Sequence, residues 1–219
     1  MRAEGVFDFL FPPRCGGCGA RGDWFCGDCR AQARPAPRRV CRGCARVSAV
    51  DTCPGCLSHG LGADSLVAWF VLDGPVREAI HRLKYGDRPR LAGPLVELGL
   101  SQGDLPAAVI VPVPLSANRR RQRGYNQAET IAREVAGRTG LVLADGLRRV
   151  EETGAQVGRS GAERRAALRG AFAWSRGSAP GEVLLIDDVV TTGTTLTECA
   201  RALRAAGSYS VQALAVALG

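Results

Sequence analysis

Hydrophobic positions along this chain follow two rhythms, uninterrupted aliphatic runs and helical stripes, and from residue 66 onward the two alternate. LVAWFVL at 66–72, AAVIVPVP at 107–114, LVLA at 141–144, Val183 to Ile186 and VQALAVAL at 211–218 are compact apolar runs. Such runs, without alternation, mark strands covered on both faces in a parallel sheet. Between them, PVREAIHRLKYGD sets Val76, Ile80 and Leu83 on one helical face with Gly86 as a stop, and RLAGPLVELGL at 90–100 suggests a further helix. Ala128, Ile131, Ala132 and Val135 share a face that closes at Gly140. Leu196, Cys199, Ala200 and Leu203 do the same over a helix from Thr194 to about Ala206, which makes Cys199 a small core residue. Strands alternating with helices predict an α/β fold built on a parallel sheet. Residues 118–124 read as a loop, and 148–170, Arg-rich and punctuated by glycine, as an excursion outside the core.

The first quarter of the chain is organised by cysteine instead. Eight of the nine cysteines form C-x-x-C pairs: Cys15/Cys18, Cys26/Cys29, Cys41/Cys44 and Cys53/Cys56. In a reducing compartment such pairs are metal knuckles, and tetrahedral Zn²⁺ takes two knuckles per ion. Pro35 and Pro37 in the central gap favour sequential pairing, with Cys15, Cys18, Cys26 and Cys29 on one structural ion and Cys41, Cys44, Cys53 and Cys56 on a second. Spacing leaves interleaved pairing open. A disulfide scaffold lacks the signal peptide it would need, because the apolar run near the N-terminus is too short and too acidic. His59 follows the last knuckle as an exposed loop residue, since both ions already have four thiolates. The expected organisation is a zinc module over 1–57, a linker over 58–65 and an α/β domain over 66–219. With about 55 residues, the module would depend on metal for much of its stability.

Composition narrows the setting. No apolar stretch approaches the ~20 residues of a membrane span, so a cytoplasmic protein without membrane insertion is expected. The formal charge of +8 points to acidic partners, although eight thiolates on two zinc ions would bring it to about +4.

The chemistry concentrates at VLLIDDVVTTGTT, residues 183–195. Asp187 and Asp188 follow the apolar run, at the carboxyl end of the strand, where open α/β sheets bind ligands. Thr191, Thr192, Gly193, Thr194 and Thr195 then offer backbone amides and hydroxyls at a helix N-terminus, an anion site. Two carboxylates for hydroxyls beside an anion site suit a ribose 5-phosphate. A pyrophosphate partner is offered after VIVPVP, where Ser116, Asn118 and four arginines between 119 and 123 stand together. Guanidinium binds phosphate oxygens bidentately and keeps its charge. Arg119 and Arg123 are the preferred candidates, with Lys84 assisting from the preceding helix. The plain alternatives are a solvated basic loop and a surface lysine.

Residues 183–195 resemble the signature of type I phosphoribosyltransferases, which bind phosphoribosyl pyrophosphate (PRPP). LKYGD at 83–87, PVPL at 112–115 with RGYNQA at 123–128, and IDDVVTTGTT at 186–195 occur in the order found in the ComF family of competence-related proteins. The opening FLFPPRCGGC at 9–18 is similar to that family's knuckle module, as are Thr153, Gln156, Arg164 and Phe172 to a further family pattern, from which Arg159 and Ala167 depart. The resemblance implies a phosphoribosyltransferase fold behind a double zinc ribbon. It also implies PRPP bound with Mg²⁺, a 5-phosphoribosyl group transferred or sensed, and a link to DNA uptake. The competing expectation is a non-catalytic adaptor for single-stranded DNA or a helicase-like partner.

Overall fold

The computed structural model describes residues 12–41, 48–53, 56, 62–103, 105–106, 108–150 and 168–219. Cys44, His59, most of the 148–170 excursion and Thr153, Gln156 and Arg164 lie outside them. In chain order the described elements are α1 (Gly27–Ala31), β1 (Ser65–Val71), α2 (Gly74–Tyr85), a 3-10 turn (Pro89–Leu91), α3 (Ala92–Leu100), β2 (Val109–Pro112), α4 (Ala117–Arg123), α5 (Gln127–Thr139), β3 (Leu147–Arg149), β4 (Phe172–Trp174), β5 (Glu182–Val190), α6 (Thr194–Ala205) and β6 (Ser210–Leu218).

The α/β class expected from the alternation is the one observed. Strands β1, β6, β5 and β2 lie side by side in that order, and all three pairings are parallel. Strand β5 explains why its run is uninterrupted: Leu184 and Ile186 pack with α2, α3 and α5 on one face, while Val183 and Leu185 pack with α6 on the other. Leu83, Leu95 and Ile131 anchor the first layer, and Leu196, Cys199 and Leu203 the second. Cys199 is fully buried there, as a small core residue, and burial pushes its thiol up.

Four local readings change. Residues 117–123 are a helix and not a loop: Ser116 caps it by accepting from the Arg119 amide, and Gly124 closes it at φ +75°. The helix has no buried residue, so it leaves no hydrophobic stripe to read. LVLA at 141–144 is not a strand but a single bridge, where Ile110 exchanges backbone bonds with Val142 and Ala144. The flanks of the excursion belong to the fold, because β3 and β4 pair antiparallel, with Leu147 and Phe172 buried. Lastly, β5 continues to Val190, so Asp187 and Asp188 lie within the strand and not after it. Its partner β2 stops opposite Ile186, which leaves the acids extending past the end of that neighbour.

The first cysteine segment packs onto this domain. Cys15, Phe25 and Cys29 share the apolar layer of α2 and α3. Residues 34–36 run along the free edge of β1, with the Ala36 amide donating to the Trp69 carbonyl and the Val71 amide to the Arg34 carbonyl.

Candidate functional site

The cysteines fall into two groups. The Sγ atoms of Cys15, Cys18, Cys26 and Cys29 all lie within 4.8 Å of one another, as do those of Cys41, Cys53 and Cys56. Grouping is therefore sequential. In the first group Cys15 and Cys29 are 3.6 Å apart and Cys18 and Cys26 are 3.7 Å apart. A tetrahedron of ~2.3 Å Zn–S bonds has edges of roughly 3.8 Å, so this cluster has the size zinc requires. The Cys26 amide donates to Cys15 Sγ at 3.4 Å, and the Cys53 amide to Cys41 Sγ at 3.3 Å. Burial opposes ionisation of Cys15, yet the amides of Cys26, Cys18 and Gly17 outweigh it and draw the thiol down to about 6. Cys29 is pushed far up, first by burial and then by its contact with Cys15. One ready thiolate beside a retained thiol suits a site that ionises fully only when a cation arrives.

The second centre lies at the carboxyl end of β5. Asp188 is 8% exposed, and its Oδ1 meets Lys84 Nζ at 3.2 Å. A buried carboxylate needs such a partner, because desolvating it unpaired costs several kcal/mol. Lys84 is the chain's sole lysine among 28 arginines, and α2 delivers it to this position. Asp187 Oδ1 accepts from the Asp188 amide at 2.8 Å. Burial first, and the Asp188 charge second, push Asp187 up to about 7, while Lys84 and Arg119 act the other way. Between about pH 4 and 7 the folded chain thus holds a proton that the unfolded chain has lost, and this group lowers stability as pH rises through that window.

Beyond the acids, Thr191 and Thr192 are exposed, and Gly193 takes φ +67° to turn the chain into α6. A side chain at that φ would be strained, which is why glycine stands there. Thr192 and Thr194 pair through their hydroxyls at 3.0 Å, and Thr195 follows in the first turn of the helix. The loop presents amides at a helix N-terminus without an acidic residue in its first turn.

The basic segment divides. Arg119 is exposed, and among the described residues its side chain has no hydrogen-bond or ion-pair partner. Arg123 is held: Nη1 donates to Gln127 Oε1 at 3.0 Å, Nη2 to the Tyr85 hydroxyl at 3.1 Å, and the guanidinium stacks over the Tyr85 ring. Ser116 spends its hydroxyl on the cap.

Sequence reasoning passed over the frame beneath these groups. Buried Asn126 ties α5 to the end of β2, donating to the Val113 carbonyl at 2.9 Å and accepting from the Ala128 amide at 3.1 Å. The Tyr125 hydroxyl donates to the Leu83 carbonyl, next to Lys84. RGYNQA is thus a set of struts that fixes α2, α5 and β2 together. The signal was present: an Asn directly before a helical stripe is an N-cap pattern.

No family model matches the chain. Competence protein F of Haemophilus influenzae is 30% identical over 85% of this chain and 93% of its own length. The DNA utilization protein YhgH of Salmonella typhimurium is 30% identical over 85% and 88%, and competence protein ComFC of Streptococcus pneumoniae 30% identical over 85% and 84%. Among solved structures, the glutamine PRPP amidotransferase of B. subtilis aligns at 22% identity and a TM-score of 0.39. That alignment covers 60% of this chain and 26% of the enzyme, a likeness too loose to bear on ligand or reaction. No described helix is long and apolar enough to cross a membrane.

Proposed function

Because the chain belongs to the ComF family of competence proteins, we propose that it binds PRPP at the carboxyl end of β5 and transfers its phosphoribosyl group in the service of DNA uptake. The observation that carries this is the Lys84–Asp188 pair beside a Thr/Gly turn at the start of α6. A cation and an acid held together at a strand end, next to free amides, match a ligand that offers a phosphate, two hydroxyls and a pyrophosphate.

In this reading Asp187 and Asp188 accept hydrogen bonds from the ribose hydroxyls. The amides from Thr191 to Thr195 hold the 5-phosphate, with the positive end of α6 behind them. Lys84 holds the Asp188 carboxylate in place through their ion pair. Lys84, Arg119 and Arg123 supply positive charge where the departing pyrophosphate develops negative charge. The C1–oxygen bond breaks, pyrophosphate leaves with the electron pair, and an acceptor nitrogen takes C1. The carboxylate oxygens of Asp187 and Asp188 are hard donors of the kind Mg²⁺ accepts, and the ion, when bound with PRPP, would add charge neutralisation at the pyrophosphate. Zn²⁺ in the two cysteine clusters is structural.

Calorimetric titration of PRPP with Mg²⁺ into zinc-loaded protein tests the reading. Asp188→Asn is expected to weaken binding by about a hundredfold. Affinity should rise with pH up to about 7, where Asp187 sheds its proton, and then level off; Asp187→Asn should flatten that profile. Failure of the unaltered protein to bind PRPP would overturn the proposal.

A second reading has its own observation: Arg119, Arg120 and Arg121 are all exposed on α4, near the exposed Tyr85 ring. Such a surface suits a single strand of DNA or an acidic face of a helicase-like partner. Salt-sensitive DNA binding that survives Asp188→Asn but is lost when Arg119, Arg120, Arg121 and Arg123 are all replaced would favour the adaptor.

A further inference from the structure

Helix α2 touches both centres, and the contacts occur within one turn. Near its C-terminus Arg82 Nη1 donates to three successive carbonyls of the first knuckle, Cys15 at 2.9 Å, Gly16 at 2.6 Å and Gly17 at 3.1 Å. Its Nη2 lies 4.0 Å from Glu78 Oε2. One residue on, the Leu83 carbonyl accepts from Tyr125. Two residues on, and about 200° around the helix, Lys84 meets Asp188. Three residues on, Tyr85 holds Arg123.

The knuckle lies against this helix without intervening side chains. A Cβ on Gly16 would come within 2.6 Å of Leu91 and 3.3 Å of Ala79, and one on Gly17 within 2.7 Å of Pro75. These apolar contacts hold the surfaces together but are non-directional. Three carbonyls share the two N–H bonds of one guanidinium nitrogen; these contacts are directional, and charge-assisted bonds are about twice as strong as neutral ones. The carbonyls converge only while the Cys15–Cys18 turn keeps its shape, and that shape is what a metal held by the four thiolates would enforce.

We propose that Arg82 is a positioning residue coupling the first cysteine cluster to the carboxylate site: it sets the placement of α2, so that metal ordering of the knuckle governs how firmly Lys84 is held at Asp188. The link is physically contiguous, from thiolates to carbonyls to guanidinium to one helical turn to ammonium. It is also reciprocal, so a ligand that binds better when Lys84 is held at Asp188 must in turn raise the affinity of the first cluster for its metal. The consequence for PRPP rests on the function proposed above; the link from knuckle to Lys84 does not.

Because Lys84 is the only lysine, reductive methylation followed by peptide mass spectrometry reads its accessibility without interference from other side-chain amines. In zinc-loaded protein, Arg82→Ala is expected to speed methylation of Lys84 severalfold and to weaken PRPP binding about tenfold, at unchanged zinc content. Arg82→Gln, which keeps a donor and most of the stem, should show the same changes at smaller size and serves if the alanine variant fails to fold. Glu97→Ala is the control, since it loosens the same knuckle from α3 through Arg30 without touching α2; it should leave Lys84 labelling at the wild-type rate. Methylation of Lys84 at the wild-type rate in both Arg82 variants would overturn the link, and so would equal effects of Glu97→Ala and Arg82→Ala, which would reveal general loosening. If the wild type binds no PRPP while the labelling difference stands, the phosphoribosyl reading fails and the link holds. If PRPP binds and labelling does not change, the link alone fails.

Discussion

The two cysteine clusters are chemical twins in very different surroundings. In the first, Cys15 and Cys29 are buried within the same apolar layer as α2 and α3, Arg30 reaches Glu97, and Arg82 holds the carbonyls between the cysteines. In the second, Cys41 is buried but belongs to neither apolar cluster, and Cys53 and Cys56 are partly exposed. Identical ligands therefore support two kinds of structure. One is a wedge in the domain's own core, and the other, among the described residues, joins neither apolar cluster. Spacing treats them alike; packing does not.

The largest expected consequence is global. Cys29→Ser should lose one zinc and lower the melting temperature by more than ~10 °C, because metal loss there also opens the shared core. Cys53→Ser should lose one zinc yet shift the melt by only a few degrees. Metal analysis with calorimetry checks both, and equal melting temperatures would erase the distinction.

Next in size is Gly17→Ala. Its Cβ would stand 2.5 Å from Cys29 Sγ and 2.7 Å from Pro75 Cβ, so the knuckle must retreat from α2. A cost of about 2 kcal/mol follows, or roughly 5 °C in a domain of this size. Thermal melts of the zinc-loaded variant measure it, and an unchanged melt would show the wedge to be loose.

A pH profile sharpens the comparison further. With Cys15 drawn down to about 6, the metal-free first cluster carries a thiolate at neutral pH. Cobalt(II) uptake by this cluster, followed by thiolate charge-transfer absorbance in Cys53→Ser, should depend less steeply on pH above about 6 than below it, because Cys15 has then already shed its proton. An unchanged slope across pH 6 would contradict this. The smallest effect belongs to the rim. Glu97 is 60% exposed in its pair with Arg30, so Glu97→Ala should cost less than ~1 kcal/mol, close to the limit of a denaturation measurement.

How much was legible follows the same division between local and distant causes. The run before Asp187, the stripe at Leu196, Cys199 and Leu203, and the stop at Gly86 were readable because burial on a sheet or helix face repeats with a short period. Helix α4 was not, because its stability lies in the Ser116 cap and the Gly124 turn, and its exposed arginines carry no stripe. Strands β3 and β4 have three residues each and pair across the long excursion, so neither shows a period of its own. LVLA read as a strand from composition, yet it pairs with β2 only around Ile110. The strand expected over Val183 to Ile186 runs on through the acids to Val190, because backbone pairing with β6 continues to Val190 and Leu218.

By itself the sequence determined the α/β alternation, the four knuckles, the paired acids ahead of a Thr/Gly turn and the order of motifs, since each depends on residues close together in the chain. Only the tertiary structure decided that Lys84 meets Asp188 across more than a hundred residues, that Gly16 and Gly17 are contact surfaces against α2, and that Arg82 joins the knuckle to the helix carrying Lys84. Those are matters of distance between elements, and they are set by how the layers pack, which no local period encodes.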